Sequence, residues 1–157
     1  MILRAAAGSD VGRRRAANED HYALAPDIGL YLVADGLGGH VAGQVASELA
    51  AEAALRTVRP LEGAAPSLAE KLRYAVTAAN REVHETARRR PELQGMGTTL
   101  VALLAQEGRA ALAHVGDSRA YRLRGGELTR LTTDHSLVGE MVRRGAITEA
   151  EAEVHPQ

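Results

Sequence analysis

The sequence contains no cysteine, no phenylalanine and no tryptophan among its 157 residues. Without cysteine there can be no disulfide framework, thiolate zinc site or thiol nucleophile. The four tyrosines are too few to form an aromatic platform for stacking nucleic-acid bases. No apolar run approaches the roughly 20 residues that a membrane-spanning helix needs, and charge soon interrupts the first residues, unlike in a signal peptide. We therefore expect a cytoplasmic protein with no membrane partner.

An excess of charge of either sign is also missing. The formal net charge is -1, so neither nucleic acid nor an anionic membrane surface is an expected partner. The apolar fraction of 45% in a chain of this length suffices for the hydrophobic core of one domain.

The predicted elements run in the order strands, two long helices, strands. The continuously apolar strand before Asp35 predicts burial on both faces. Such an order predicts an α+β protein whose helices lie on the faces of antiparallel sheets. The predicted strands cover residues 2–9, 21–25, 29–35, 98–105, 109–115, 118–123 and 127–131, and the predicted helices cover residues 42–58, 67–90 and 136–144. Capping boxes are predicted at 67–70 and 148–151, a turn between strands at Pro26-Asp27, and a hairpin at Gly125-Gly126.

The first candidate site is Asp35 followed by Gly36, at the end of this strand. A carboxylate there suits a hard cation such as Mg²⁺ or Mn²⁺, and a glycine lets a backbone carbonyl approach the ion. The alternative is an Asp-Gly turn that only reverses the chain. A dinucleotide-binding loop is excluded because Val41 stands where the third glycine is required, and no Gly-Lys-Ser/Thr sequence follows for a phosphate-binding loop.

Five other residues could contribute to the same chemistry. Glu19 and Asp20 could add carboxylates to the ion, or form a solvated turn. Arg15 could grip phosphate oxygens, or belong to an exposed basic run. Asp117 could bind a metal or cap a tight turn. His40, on the loop after Asp35, could protonate a leaving group, or be a surface histidine.

These signals occur in an order that resembles the bacterial branch of the PP2C-type metal-dependent protein serine/threonine phosphatases. The resemblance runs from about Ser9 to the last residue. The motifs that carry it are Ser9-Asp10-Val11-Gly12, Arg15, Asn18-Glu19-Asp20, Val33-Ala34-Asp35-Gly36-Leu37-Gly38-Gly39-His40, Gly97-Thr98-Thr99-Leu100, His114-Val115-Gly116-Asp117-Ser118-Arg119-Ala120-Tyr121 and Thr133-Asp134-His135-Ser136-Leu137.

The resemblance implies a β-sandwich flanked by helix pairs and two Mn²⁺ or Mg²⁺ ions. Asp35 would bridge the two ions, the carbonyl of Gly36 would bind the second, and Glu19 and Asp20 would lie beside it. Asp117 would belong to a third, weaker metal site.

The resemblance also implies the reaction and its partners. Arg15 would hold the phosphate, His40 would donate a proton, and residues of about 133–156 would form a mobile flap beside the active site. The substrates would be proteins phosphorylated on serine or threonine, and plausible partners are serine/threonine kinases and the substrates of those kinases.

The family pattern continues beyond the end of this chain. We therefore expect residues 1–157 to be one phosphatase domain, incomplete at its C-terminus, without the last strands and the remaining metal-binding aspartates. Alone it should bind metal weakly and release little or no phosphate, and unpaired strand edges could drive self-association. The alternative function is a non-catalytic, phosphoprotein-binding pseudophosphatase module.

Overall fold

The computed structural model describes residues 3–39, 41–61 and 66–153. Its elements follow the predicted order of strands, two long helices and strands, and end in two short helices. They are β1 (Asp20–Ala25), β2 (Leu30–Leu37), α1 (Val41–Val58), α2 (Leu68–Arg89), β3 (Gly97–Thr98), β4 (Leu100–Gln106), β5 (Arg109–Val115), β6 (Tyr121–Arg124), β7 (Glu127–Arg130), α3 (Leu137–Arg143) and α4 (Glu149–Glu153), with 3₁₀ turns at Arg59–Leu61 and Pro91–Leu93.

The main sheet is antiparallel, with its strands in the order β1-β2-β4-β5, and β3 pairs with the end of β2. Strands β6 and β7 form a separate two-stranded sheet. The predicted turn between β1 and β2 is confirmed: the N–H of Ile28 donates to the carbonyl of Ala25 at 3.2 Å. The structure is therefore an α+β fold.

Helix α1 packs on the sheet mainly through small side chains. Ala46, Ala50 and Ala54 recur every four residues on one face and are at most 1% exposed. The larger side chains of Val45 and Leu49 are only partly buried. Because small side chains let a helix approach its neighbours closely, α1 lies near the end of β2 where Asp35 is located.

Helix α2 begins with the predicted capping box. The N–H of Glu70 donates to Ser67 Oγ at 3.3 Å, and the N–H of Ser67 donates to Glu70 Oε2 at 2.9 Å. Its buried side chains include Leu72 and Val83. Neither α2 nor any other described helix has the length and hydropathy to span a membrane.

The predicted strand over residues 2–9 is wrong for residues 3–9, and Ile2 lies outside the described residues. Residues 3–9 are exposed and form no ladder with a described strand. A strand needs a hydrogen-bonded neighbour, which local apolar character does not supply.

The prediction that β2 is buried on both faces is also wrong. Burial alternates along the strand: Leu30, Leu32 and Ala34 are buried, whereas Val33 is 47% exposed. The apolar run therefore has one face on the helices and one face open to solvent among the described residues.

Two strand boundaries differ from the prediction. The strand predicted over 98–105 is divided at Thr99 into β3 and β4. The strand predicted to begin at Ser118 begins at Tyr121 and pairs with β7, so the turn at Gly116-Asp117 leads into a second sheet. Gly116 has a φ of 95°, which favours glycine, and the chain leaves the main sheet there.

Candidate metal centre

Asp20 and Asp35 face each other across the β1–β2 ladder at the open end of the sheet. Directly opposed residues of an antiparallel pair project from the same face, with Cβ atoms roughly 5 Å apart. Both line a cavity of about 230 Å³ together with Ser9 and Ser118. Two of the predicted metal ligands are therefore brought together by strand register.

The electrostatics of this cavity favour a cation. Partial burial raises the pKa of the Asp35 carboxyl, and the charge of Asp20 and a hydrogen bond with it raise it further. The charge of Asp117 acts in the same direction, whereas the guanidinium of Arg15 lowers the pKa of Asp35. Three acids and one arginine thus share one electrostatic environment, and a bound cation would relieve the repulsion among the acids.

Asp20 is held in place by a local network of polar side chains. Its N–H donates to Asn18 Oδ1 at 3.0 Å, and Asn18 Nδ2 donates to Ser9 Oγ at 2.7 Å. The Ser9 hydroxyl in turn donates to Asp20 Oδ2 at 3.3 Å. The predicted motifs around Ser9 and Asn18 therefore orient the carboxylate of Asp20.

Glu19 occupies a different place from the one its sequence position suggests. Its carbonyl accepts hydrogen bonds from Ser47 Oγ at 2.7 Å and from the N–H of Gly36 at 3.1 Å. Its carboxylate lies against the first turn of α1, where a Cβ on Gly43 would stand 2.1 Å from Glu19 Oε2. Glu19 therefore packs on α1, and does not line the cavity of Asp20 and Asp35.

Gly43 and Thr99 are site residues that sequence analysis missed. A Cβ on Gly36 would lie 2.0 Å from the carbonyl oxygen of Gly43, so Gly36 is needed for this close approach of strand and helix. Thr99 accepts a hydrogen bond from the N–H of Asp35 at 3.0 Å. The sequence does show a glycine in the first turn of a predicted helix and a threonine after Gly97-Thr98. Neither pattern indicates a role in the site, because that role depends on a contact with a distant residue.

The remaining predicted residues are only partly located. Arg15 and Asp117 are exposed, and both are close enough to influence the charge of Asp35. His40 lies outside the described residues. Among the described residues, no three or more carboxylate or imidazole side chains converge as a metal cluster. Asp20 and Asp35 nevertheless suit one hard cation, because Mg²⁺ commonly binds through one or two carboxylates and keeps several waters.

The start of the expected flap is joined to the Asp117 turn. Asp134 accepts hydrogen bonds from Arg119, including one from Nη2 at 2.7 Å, and from Arg130. The N–H of His135 donates to the carbonyl of Gly116 at 3.0 Å. These arginines hold the pKa of the Asp134 carboxyl below its usual range.

A larger groove of about 890 Å³ runs between α2 and residues 94–98. Its described lining contains His84 and Arg88 but no carboxylate. Size alone therefore does not mark the metal centre; the opposed acids do.

The chain is similar in sequence to known protein phosphatases. The Protein phosphatase 2C family model matches residues 7–155. The serine/threonine protein phosphatase PstP of Mycobacterium tuberculosis is 48% identical over 158 residues, which cover 100% of this chain and 30% of that protein.

Solved structures show the same fold. The crystal structure of Mycobacterium tuberculosis PstP/Ppp has a TM-score of 0.85 and 44% identity, covering 96% of this chain and 62% of that one. The catalytic domain of PstP in complex with 2 manganese ions has a TM-score of 0.81 and 43% identity, covering 92% of this chain and 61% of that one. The chain spans less than two thirds of the length of these relatives. Since the family model extends over nearly all of its residues, the chain belongs to the protein phosphatase 2C family.

Proposed function

We propose that the protein hydrolyses phosphoserine and phosphothreonine in other proteins with the help of Mn²⁺ or Mg²⁺. The observation that carries the proposal is the opposition of Asp20 and Asp35 across one cavity. The relative of known structure with two manganese ions supports a two-metal centre. The further, weaker site is implied by the family pattern alone.

Asp20 and Asp35 would hold cations at the cavity, and the carbonyl of Gly36 would be a further oxygen donor expected from the family pattern. Glu19, whose carboxylate lies against α1, would act through water. Asp117 adds negative charge near Asp35 and would serve the weaker site. Bound divalent ions would neutralise phosphate charge and acidify a water for attack. What the chain itself supplies is a rigid pair of carboxylates, fixed by the β1–β2 register.

Arg15 would bind the phosphoryl oxygens. It is exposed, and its positive charge lowers the pKa of Asp35. It makes no ion pair with a carboxylate of the described residues. A guanidinium fork suits two phosphate oxygens, and would hold the group in line for attack. His40 would protonate the departing serine or threonine oxygen; this role rests on its sequence position alone.

Release of phosphate from a phosphothreonine peptide, with and without Mn²⁺, tests the proposal. We expect slow Mn²⁺-dependent release, which Asp35→Asn lowers at least about tenfold because a ligand is lost. Glu127→Gln is the matched control, since it removes an exposed carboxylate on β7. Binding of the peptide that Mn²⁺ does not influence, with no release of phosphate, would indicate a binding module instead.

We propose that residues 1–157 form one incomplete phosphatase domain whose flap begins near Thr133. Support comes from the bonds that tie His114 Nε2 to the carbonyl of Thr133 at 2.7 Å and Asp134 to Arg119. Limited proteolysis should cut the chain beyond Ser136 before it cuts the main sheet. Cleavage within β2 or β4 before any cleavage beyond Ser136 would contradict the proposed boundary of the flap.

Substrates and partners follow from the same proposal. We propose phosphorylated proteins, including serine/threonine kinases and their substrates, as partners, and the cytoplasm as the place of action. The absence of cysteine is compatible with a reducing compartment. Cell fractionation with an antibody against the chain tests the location, and recovery outside the cytoplasmic fraction would contradict it.

We also propose that residues 1–157 self-associate. In the described structure, β1 and β5 are edge strands of the main sheet, and its outer face carries partly exposed apolar side chains, among them Leu24, Val33 and Leu103. Such edges and faces favour association between copies. Light scattering should show dimers that Val33→Lys dissociates. A monomer at every concentration would contradict the proposal.

A further inference from the structure

Thr99, at the break between β3 and β4, forms hydrogen bonds with both the N–H and the carbonyl of Asp35. The N–H of Asp35 donates to Thr99 Oγ1 at 3.0 Å, and the N–H of Thr99 donates to the carbonyl of Asp35 at 2.9 Å. The hydroxyl of Thr98 donates to the same carbonyl at 3.0 Å. The strand end that carries the central carboxylate is therefore fixed by residues 98 and 99.

The hydroxyl of Thr99 also joins Asp35 to the turn that carries Asp117. Thr99 Oγ1 and Ser118 Oγ are 2.7 Å apart, within hydrogen-bond distance. A hydroxyl has one proton and two lone pairs, so Thr99 can accept from Asp35 and still bond to Ser118. This hydroxyl is a direct side-chain link between the β2 end and the 116–118 turn.

Packing restricts the position of Thr99 further. The residue is only 7% exposed. A Cβ on Gly116 would lie 2.7 Å from Thr99 Cγ2, so the turn packs against the methyl group with no room for a side chain. The hydroxyl of Thr99 thus contacts Asp35 and Ser118, whereas its methyl group contacts Gly116. Removing the hydroxyl should therefore have a different effect from removing the methyl group.

We propose that Thr99 is a positioning residue of the metal centre, which fixes Asp35 relative to the Asp117 turn. Its relevance to metal binding rests on the proposed function. Groups that orient metal ligands from outside the coordination sphere are worth about 10–100-fold in metal affinity. Thr99 would therefore influence affinity without itself binding the ion.

Three variants separate this role from general stability. Thr99→Val keeps the shape and removes the acceptor for the Asp35 N–H, whereas Thr99→Ser keeps the hydroxyl. Thr132→Val is the matched control: Thr132 is 4% exposed, and its hydroxyl accepts one main-chain N–H, that of Ala120, at 3.1 Å.

The first measurement is amide hydrogen exchange by NMR on the full chain in EDTA. The reference is the amide of Ala105, which donates to the carbonyl of Gly29 at 2.9 Å at the other end of β4. In Thr99→Val the Asp35 amide should exchange about tenfold faster relative to Ala105, because its acceptor is gone. Thr99→Ser and Thr132→Val should leave this ratio unchanged.

The second measurement is Mn²⁺ affinity, from the EPR signal of free Mn²⁺. We expect about tenfold weaker binding in Thr99→Val and an affinity within about twofold of the original in Thr99→Ser and Thr132→Val. Unchanged exchange and affinity in Thr99→Val, or a Thr99→Ser variant that loses Mn²⁺ as Thr99→Val does, would overturn the proposal.

Failure of the proposed function would look different. If the original chain binds no Mn²⁺ but Thr99→Val still releases the Asp35 amide selectively, the hold on Asp35 stands and the metal assignment fails. If Thr99→Val does not fold, Thr99→Ser can still overturn the proposal. A variant that keeps the hydroxyl must keep both the slow exchange of the Asp35 amide and the Mn²⁺ affinity.

Discussion

Asp20 and Asp35 are cross-strand partners in the β1–β2 ladder, so the fold forces two carboxylates of like charge to face each other. Opposed like charges destabilise a sheet. The pKa of Asp35 is raised first by partial burial and next by the charge of Asp20, because both disfavour the ionised carboxylate. The pair is unfavourable for the empty fold and favourable for one that holds a cation.

Asp35→Asn should therefore stabilise the metal-free chain. We expect an increase of about 0.5 kcal/mol in the free energy of unfolding in EDTA at pH 7, the size typical of a cross-strand pair. A raised folded pKa means that the folded state binds more protons, so this repulsion grows as pH rises from the unfolded pKa through the folded one. Urea unfolding at pH 4 and pH 7 measures the effect.

The control for that experiment is Glu127→Gln, which makes the same charge change on the exposed strand β7. Its effect should be near zero at both pH values. Equal stability of Asp35→Asn and the original chain at pH 7 would contradict the account of the opposed pair.

Asp134→Asn should weaken the junction between the flap and the Asp117 turn. The side chain of Asp134 is 17% exposed, and Arg119 and Arg130 hold its pKa low. A lowered folded pKa gives stability that is present above the unfolded pKa, ~3.9, and is lost as pH falls below it. We expect a loss of about 1 kcal/mol at pH 7, since both arginines are substantially exposed.

Thermal unfolding from pH 7 to pH 3 checks this prediction. The difference between Asp134→Asn and the original chain should shrink as Asp134 itself becomes protonated. Glu92→Gln removes an exposed ion pair with Arg90 and should cost less at pH 7. A difference that is independent of pH would show that the charge of Asp134 is not the cause.

Gly43→Ala should displace the carboxylate of Glu19. The new Cβ would lie 2.1 Å from Glu19 Oε2, and this side chain, rather than the backbone, is free to move. Alanine favours helix by roughly 1 kcal/mol over glycine, so helix content should persist while Mn²⁺ affinity falls severalfold. Circular dichroism and Mn²⁺ titration measure the two effects.

Gln44→Ala, at the exposed neighbouring position of α1, is the control and should leave Mn²⁺ affinity unchanged. Unaltered affinity in Gly43→Ala would mean that the position of Glu19 does not matter to the metal centre.

The buried Lys71 depends on Gln106. Lys71 is 4% exposed, and its Nζ donates to Gln106 Oε1 at 3.2 Å, while Gln106 Nε2 donates to the carbonyl of Ile28 at 2.8 Å. Gln106→Ala should cost about 1–3 kcal/mol in urea unfolding, because it leaves buried polar groups without partners.

Adding Lys71→Met to Gln106→Ala should restore part of that stability, since an apolar side chain of similar length needs no partner. If Lys71→Met lowers stability equally in both backgrounds, the two residues are not coupled.

Local patterns in the sequence predicted the elements that depend on neighbouring residues. The capping box at Ser67, the hairpin at Gly125-Gly126 and the strand pair around Pro26 are all confirmed, because each is stabilised within a few residues. The α+β fold followed from the order of these elements.

The parts that sequence missed depend on distant partners. Residues 3–9 look like a strand but have no described neighbour to pair with. Glu19 and Asp20 are adjacent in sequence, yet one carboxylate lies against α1 and the other faces Asp35. Thr99 lies 64 residues from the N–H that it accepts. No local pattern encodes such contacts.

The most direct test of the metal centre is Mn²⁺ binding measured by EPR on the full chain and three variants. The account predicts that the original chain and Glu127→Gln bind Mn²⁺ alike, and that Asp20→Asn and Asp35→Asn each weaken binding at least about tenfold. Equal Mn²⁺ affinity in all four proteins would contradict the claim that the opposed carboxylates of β1 and β2 form the metal centre.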